Sequence, residues 1–359
     1  MQKNVERVII IVVTLIVCVV IQEVGLRMLG RSPTNMTDGF FKQHGDSYRL
    51  RKNIKKIVKW PSYTYTVYTN ALGFRDVKTG TRDYSKKPLY AFLGTSQTFG
   101  NGVDYEKSFV GICAQQALRY GIETVNMGLQ GAHLVEVEDI LFDFIDNTGQ
   151  SPEKAIVCFD PILMYKFDTD HAEVVVKSGY LFKKGKWLIP YIRIMLGNLS
   201  AAYCFFRDNF RKFQVQWFSS HEEKNFAFYD RLYSKNAQIN DPEFQKRFSS
   251  RLTVFERRLR EKGISPVYVY LTPIAGFDIK QMAKNAGKNP DNFDPEVYGN
   301  VIARHCKKKS IPFINFYPTL KKHHDNGERL CFVLDAHYND KGNRITGDAL
   351  ANFLFSSEE

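Results

Sequence analysis

The sequence predicts an α/β protein whose central parallel sheet of about five strands is flanked by helices and preceded by an N-terminal transmembrane helix. Three observations carry this expectation. The chain is uncharged from Val8 through Gln22, a stretch dominated by Val, Ile and Leu. From residue 88 onward, five short apolar runs alternate with amphipathic stretches, the rhythm of βαβ units. The composition, 44% hydrophobic and 25% charged over 359 residues, excludes the disordered and collagen-like classes and is enough for a sizeable core.

Residues 1–30 read as a membrane anchor. The uncharged run falls somewhat short of the roughly 20 residues that a bilayer core needs. Glu23 and Arg27, one turn apart, extend the span by snorkelling to the interface, so the helix can run through Leu29. The following Glu23-Val-Gly-Leu-Arg-Met-Leu-Gly30 has no clear small-x-small cleavage site, which favours an uncleaved anchor over a signal peptide. Lys3 and Arg7 precede the segment and Arg27 and Arg31 follow it, so charge leaves the orientation undecided.

Residues 31–87 form a polar lead-in in which Tyr63 to Thr69 alternates at strand period before Asn70-Ala-Leu-Gly-Phe-Arg75. Residues 88–359 form the main domain. Its strands are expected at Pro88–Leu93, Thr124–Met127, Ala155–Phe159, Pro266–Leu271 and Pro312–Phe316. Helices are expected at Ser108–Tyr120, Leu134–Asn147 and Asp241–Lys262, each closed by Gly or Asn near its end. Between the third and fourth strands the spacing swells at about 165–240, where aromatics are frequent and residues 174–188 pattern as a hairpin. This reads as an insertion over the active face.

The formal net charge of +12 favours an anionic partner without choosing one, and the Lys and Arg clusters read as solvated faces. No nucleic-acid motif accompanies them, so no nucleic-acid partner is expected. The six cysteines contain no C-x-x-C pair or zinc-like spacing, so neither a metal site nor a cofactor is expected. A bridge between Cys306 and Cys331 stays open.

Chemistry concentrates at two places. The first strand runs into Phe92-Leu-Gly-Thr-Ser-Gln-Thr-Phe-Gly-Asn-Gly-Val103, which sets Ser96 just past a strand's carboxyl end, where open α/β sheets bind ligands. Gly94 allows a tight turn, and a helix start supplies free N–H groups for a developing oxyanion. Alone, a serine here is more often a helix cap than a nucleophile. Near the C-terminus, Asp335-Ala-His337 lies between the last strand and a final helix. A serine hydroxyl needs a base within hydrogen-bond reach and a group to orient that base, and His and Asp fill those roles.

These blocks resemble the SGNH (GDSL-like) hydrolase family. Gly94-Thr-Ser96 matches its nucleophile turn, Asn126-Met-Gly-Leu-Gln-Gly131 its Asn-x-Gly-x-x-Gly turn, and Asp335-Ala-His337 with Gly342 its C-terminal block, in order over residues 88–355. The resemblance implies a flavodoxin-like three-layer sandwich and a serine esterase or acyltransferase. Ser96 would be nucleophile, His337 general base and Asp335 its orienter, with the Ser96 and Gly131 amides as oxyanion hole and Asn126 bracing the loop. The Asn70–Arg75 and Glu23–Arg27 segments are similar to the lead-in of membrane-anchored members linked to cell-surface glycan.

The chain departs from the family pattern at Thr95, which replaces an Asp, in the one-residue gap between Asp335 and His337, and at Cys158-Phe-Asp-Pro161, which stands where an amide-bearing turn belongs. An ionised Asp160 accepts hydrogen bonds but cannot donate one to an oxyanion. The expected function is therefore a membrane-anchored enzyme, with its catalytic domain outside the cytoplasm, removing or transferring an acyl group such as acetyl on a glycan or lipid. The alternative is a non-catalytic glycan-binding or assembly protein on the same fold.

Overall fold

The computed structural model describes residues 2–31, 33, 39–60, 63–81, 83–85, 88–165, 167, 174–217, 220–332 and 335–355. Helix α1 (Gln2–Met28) opens the chain, and its Val5–Met28 portion is long and apolar enough to cross a bilayer, about 36 Å at 1.5 Å per residue. A small hairpin follows, β1 (Phe41–His44) with β2 (Ser47–Leu50). Strands β3 (Lys55–Lys59), β4 (Thr64–Thr69) and β5 (Arg75–Asp76) come next. They pair antiparallel in sequence, and β5 adds them to the edge of the main sheet at Arg75–Asn126.

The parallel part begins with β6 (Leu89–Gly94), continues through helix α2 (Ser96–Phe99), α3 (Phe109–Arg119) and β7 (Glu123–Asn126), and then α4 (Leu134–Thr148), β8 (Lys154–Phe159) and α5 (Pro161–Tyr165). Every residue of β6 is buried, as expected of a strand covered on both faces, which is why its apolar run is continuous. The insertion carries hairpin β9 (Val174–Lys177) and β10 (Tyr180–Lys183), then α6 (Leu188–Leu199), α7 (Ala201–Trp217) and α8 (Ser220–Tyr233). The hairpin sits beside β1, whose Phe41 amide bonds the Gly179 carbonyl at 2.9 Å. Residues 168–173, at the start of the insertion, lie outside those described. The chain then closes with α9 (Pro242–Glu261), β11 (Ser265–Tyr270), α10 (Ile274–Asn285), α11 (Val297–Lys309), β12 (Phe313–Asn315), α12 (Tyr317–Asp325) and α13 (Asp340–Phe355).

The sheet order is β12-β11-β8-β6-β7-β5-β4-β3, so the five parallel strands follow the doubly wound 2-1-3-4-5 order. With the right-handed crossovers that parallel units take, this order sets α3 on one face and α4, α9 and α11 on the other, and α13 returns to pack on α3. This is the three-layer sandwich that the resemblance implied. On the second face Phe142 meets Phe255 edge-on between α4 and α9, and Arg251 and Arg258 of α9 reach Glu138 of α4 at 2.8 and 3.2 Å. Completely buried rings such as Phe92, Phe99 and Phe109 each contribute on the order of 2 kcal/mol of burial. All six cysteines are free, so Cys306 and Cys331 form no bridge.

Order reverses between β6 and its neighbours β7 and β8, which opens a crevice at the carboxyl ends of these strands. The α2 turn, the 126–131 turn and the Asp160 turn all lie at that edge.

Candidate active site

Ser96 is the first residue of α2, directly beyond the carboxyl end of β6, and it is half-buried. Gly94 is needed at the bend because a Cβ there would collide with the Thr98 side chain and the Cys158 carbonyl. Gly128 is needed for a second close approach: a Cβ on it would strike the Phe99 amide, so only glycine lets the 126–131 turn lie on α2. Asn126 joins the two. Its Nδ2 donates to the Thr98 carbonyl and its Oδ1 accepts from the Gly128 amide, both at 2.9 Å. The Leu129 amide adds a bond to the Gly94 carbonyl at 3.0 Å. Among the described residues, no hydrogen-bond acceptor meets the Ser96 or Gly131 amide.

The C-terminal loop brings the other two residues to this edge. His337 Nε2 lies 2.8 Å from Ser96 Oγ, and its Nδ1 lies 2.5 Å from Asp335 Oδ1. With Nδ1–H donating to the carboxylate, Nε2 faces the hydroxyl as an acceptor, the tautomer that a general base needs. The one-residue gap between Asp335 and His337 is no obstacle, because the His337 amide also bonds Asp335 Oδ1 at 3.2 Å and closes a tight turn. Gln97 pins this loop from α2: Nε2 donates to the Ala336 carbonyl at 3.1 Å, and Oε1 accepts from the Tyr338 amide at 3.3 Å.

Burial alone would raise the Asp335 carboxyl. The His337 imidazole, by hydrogen bond and charge, the Tyr63 hydroxyl and the His337 amide outweigh burial and hold it below its ordinary value of 3.8. The Tyr63 hydroxyl donates to Asp335 Oδ2. Tyr63 lies just before β4, stacked on Trp60 and 4.2 Å from the Phe332 ring. The lead-in thus reaches the site, and sequence reasoning missed this contact because a Tyr in a Tyr/Thr alternation reads as a sheet face.

Arg75 also comes from the lead-in. Completely buried, it donates to the carbonyls of Phe99 and Gly100 at 2.5 Å and to that of Val103, gripping the chain that leaves α2. Its guanidinium lies 4.6 Å from the Phe99 ring centre.

Asp160 is buried at the end of β8. Its Oδ1 accepts from the Leu163 amide at 2.8 Å, capping α5, and its Oδ2 accepts from the Thr95 hydroxyl. Burial raises its carboxyl above the ordinary 3.8, against lowering by Thr95, the Leu163 and Ile162 amides and His337. Both oxygens are engaged, so the side chain steadies the residue before Ser96 and offers no amide donor to an oxyanion. Thr95 and Asp160, two of the departures from the pattern that the resemblance sets, are partners of one another.

Near Gly131, the Tyr48 hydroxyl donates to the Gln130 carbonyl at 2.8 Å, and Gln130 Nε2 donates to Asn101 Oδ1. A cavity of about 390 Å³ lies behind the 127–129 turn, lined by Lys42, Arg49, Phe74 and Gly128 among others, and includes none of Ser96, Asp335 and His337. No group of three or more His, Cys, Asp or Glu side chains among the described residues is placed to hold a metal.

No protein-family model matches the chain, and no curated protein matches it in sequence. Several solved structures align with most of it. The esterase EstA from Pseudoalteromonas sp. is 10% identical, with 75% of this chain and 98% of that chain covered and a TM-score of 0.40. A G-D-S-L family protein from Desulfitobacterium hafniense, described as lipolytic, is 13% identical, with 74% and 98% covered and a TM-score of 0.40. The acetylxylan esterase Axe2 from Geobacillus stearothermophilus is 10% identical, with 76% and 96% covered and a TM-score of 0.40.

Proposed function

We propose that this chain is a membrane-anchored serine esterase or O-acyltransferase of the SGNH type, acting on an acyl ester of a cell-surface glycan or lipid. The observation that carries the reading is the continuous Ser96–His337–Asp335 contact at the carboxyl edge of the sheet. Ser96 Oγ attacks the acyl carbonyl while His337 Nε2 takes its proton, and ionised Asp335 stabilises the imidazolium. The Ser96 and Gly131 amides are the oxyanion donors, and collapse of the tetrahedral intermediate expels the alcohol, protonated by His337, to leave an acyl-Ser96. Water or a hydroxyl acceptor, deprotonated by His337, then releases the acyl group. An acyl group as small as acetyl suits a half-buried serine, and α1 would hold the domain at the outer face of a membrane.

With Asp160 in place of an amide, one oxyanion donor is absent, which on its own is worth on the order of a hundredfold in rate. The same observation favours a second reading, a glycan-binding or assembly protein without turnover. Hydrolysis of a small aryl acetate by the purified full-length protein separates the two. Turnover that disappears in Ser96→Ala supports the enzyme; undiminished turnover in that variant, or none in the wild type, defeats it.

A further inference from the structure

Helices α6 and α7 meet at Ser200 with a bend of 113°, and the bend is tied to the end of α1. The Glu23 carboxylate accepts from the Ala201 amide at 3.0 Å, the Ala202 amide at 2.9 Å and the Ser200 hydroxyl at 2.9 Å, satisfying orphan donors at the start of α7. Arg27 bonds Glu23 at 2.6 Å and donates to the Leu199 carbonyl at 2.9 Å, at the end of α6. Carboxylate at an N-terminus and guanidinium at a C-terminus both match the helix dipoles. This joint lies at the last turns of the apolar segment Val5–Met28 and fixes α6 at the level where that segment ends.

On α6, Leu188, Ile192, Met195 and Leu199 recur at steps of four, three and four, with Ile189 and Leu196 beside them. All six are exposed, up to 64% at Ile189. A helix facing water carries polar residues on that face, and a soluble protein rarely leaves such a stripe open. Leading into α6 are exposed Lys183, Lys184, Lys186 and Trp187, the residue types of a bilayer's headgroup zone.

We infer that α6 lies in the plane of the bilayer surface beside α1, its aliphatic stripe among the acyl chains and its leading lysines at anionic headgroups. The domain is then held to the membrane at two points instead of swinging on α1 alone. This rests on the reading of α1 as a membrane span. Lipid is the occupant because the Glu23–Arg27 joint sets the end of the stripe, at Leu199, beside the end of the span. The lysines would also meet opposite charge there, whereas a symmetric second copy would set lysines against lysines.

The test uses the full-length protein with Cys18→Ser in nanodiscs of phosphatidylcholine and phosphatidylglycerol. A single environment-sensitive fluorophore is placed at Ile192→Cys, at Val12→Cys as span reference, or at Ile57→Cys as water reference; the remaining native cysteines are buried. Lipids carrying an acyl-chain quencher should quench the labels at 12 and 192 at least threefold more than the label at 57. Quenching at 12 but not at 192 overturns the inference and leaves the anchor standing, whereas quenching at neither overturns both. Disulfide crosslinking between unlabelled Ile192→Cys copies, with the lipid quencher silent at 192, gives the stripe to a second copy and also overturns it.

Discussion

The molecule holds two relays of the same residue types. In one, Ser96 contacts His337, His337 contacts Asp335, and Asp335 accepts from Tyr63. In the other, Ser249 Oγ lies 2.8 Å from His305 Nδ1, His305 Nε2 lies 2.6 Å from Glu256, and Glu256 accepts from Tyr268 at 3.0 Å. The second relay bridges α9 and α11 over the face of the sheet. His305 is buried with both ring nitrogens engaged, and Ser249 lies mid-helix, where its own amide is committed to the helix ladder. The first ends at the crevice, on the opening residue of a helix, with an amide left over. Serine, histidine and carboxylate in contact are therefore not enough to mark a nucleophile; the proposal for Ser96 rests on its position at a strand's carboxyl edge beside amides that, among the described residues, meet no acceptor.

The largest expected contrast is between the two histidines. His337→Ala should lower aryl acetate turnover by about 10⁴-fold or more with little change in thermal stability, since it removes the proposed base from a half-buried loop. His305→Ala should leave turnover per folded molecule within about twofold but cost about 2–4 kcal/mol of stability, because Glu256 stays buried without its imidazole partner. Kinetics and thermal melts on the same preparations check both, and a loss of turnover in folded His305→Ala would erase the distinction.

The tyrosines give a smaller contrast. Tyr63→Phe removes the bond that shares Asp335 with His337, so kcat should fall about three- to thirtyfold while KM stays close to wild type. Tyr268→Phe should leave kcat alone and lower stability by about 1–2 kcal/mol. Equal effects of both changes on kcat would mean that Tyr63 supports the fold and not the triad.

Smallest, and opposite in sign, are the pH responses of the two carboxyls flanking Ser96. Asp335 is held below 3.8 in the folded state, so its contribution to stability is present above that value and lost as pH falls through the depressed one. Asp160 is raised above 3.8, so its contribution is present below 3.8 and lost as pH rises through the raised value. The melting-temperature gap between wild type and Asp335→Asn should therefore shrink on acidification, and the gap for Asp160→Asn should widen. Gaps that move together would contradict the assigned environments.

Much of this was legible in the sequence because it rests on local signals. The all-buried β6 shows as an unbroken apolar run, and Ser96, Asn126, Asp335 and His337 show as short motifs beyond strand ends. What stayed hidden depends on contacts between distant residues. Strand β5 has only two residues, too few for a period, so its capture of the 55–76 segment for the sheet left no trace. Tyr63 and Asp335 are 272 residues apart, and Ser249 and His305 are 56 apart. Glu23 and Arg27 read as snorkelling side chains, yet their partners are the ends of α6 and α7, some 170 residues on, where caps cannot be foreseen from the α1 sequence.

The most direct test of the account is where a fluorophosphonate reacts. Full-length protein is treated with the probe, digested, and the modified serine located by peptide mass spectrometry. Ser96 should be phosphonylated, with the label lost in Ser96→Ala and strongly reduced in His337→Ala, and Ser249 should stay unmodified throughout. An unreacted Ser96 in folded wild-type protein, or a probe carried by Ser249, would contradict this.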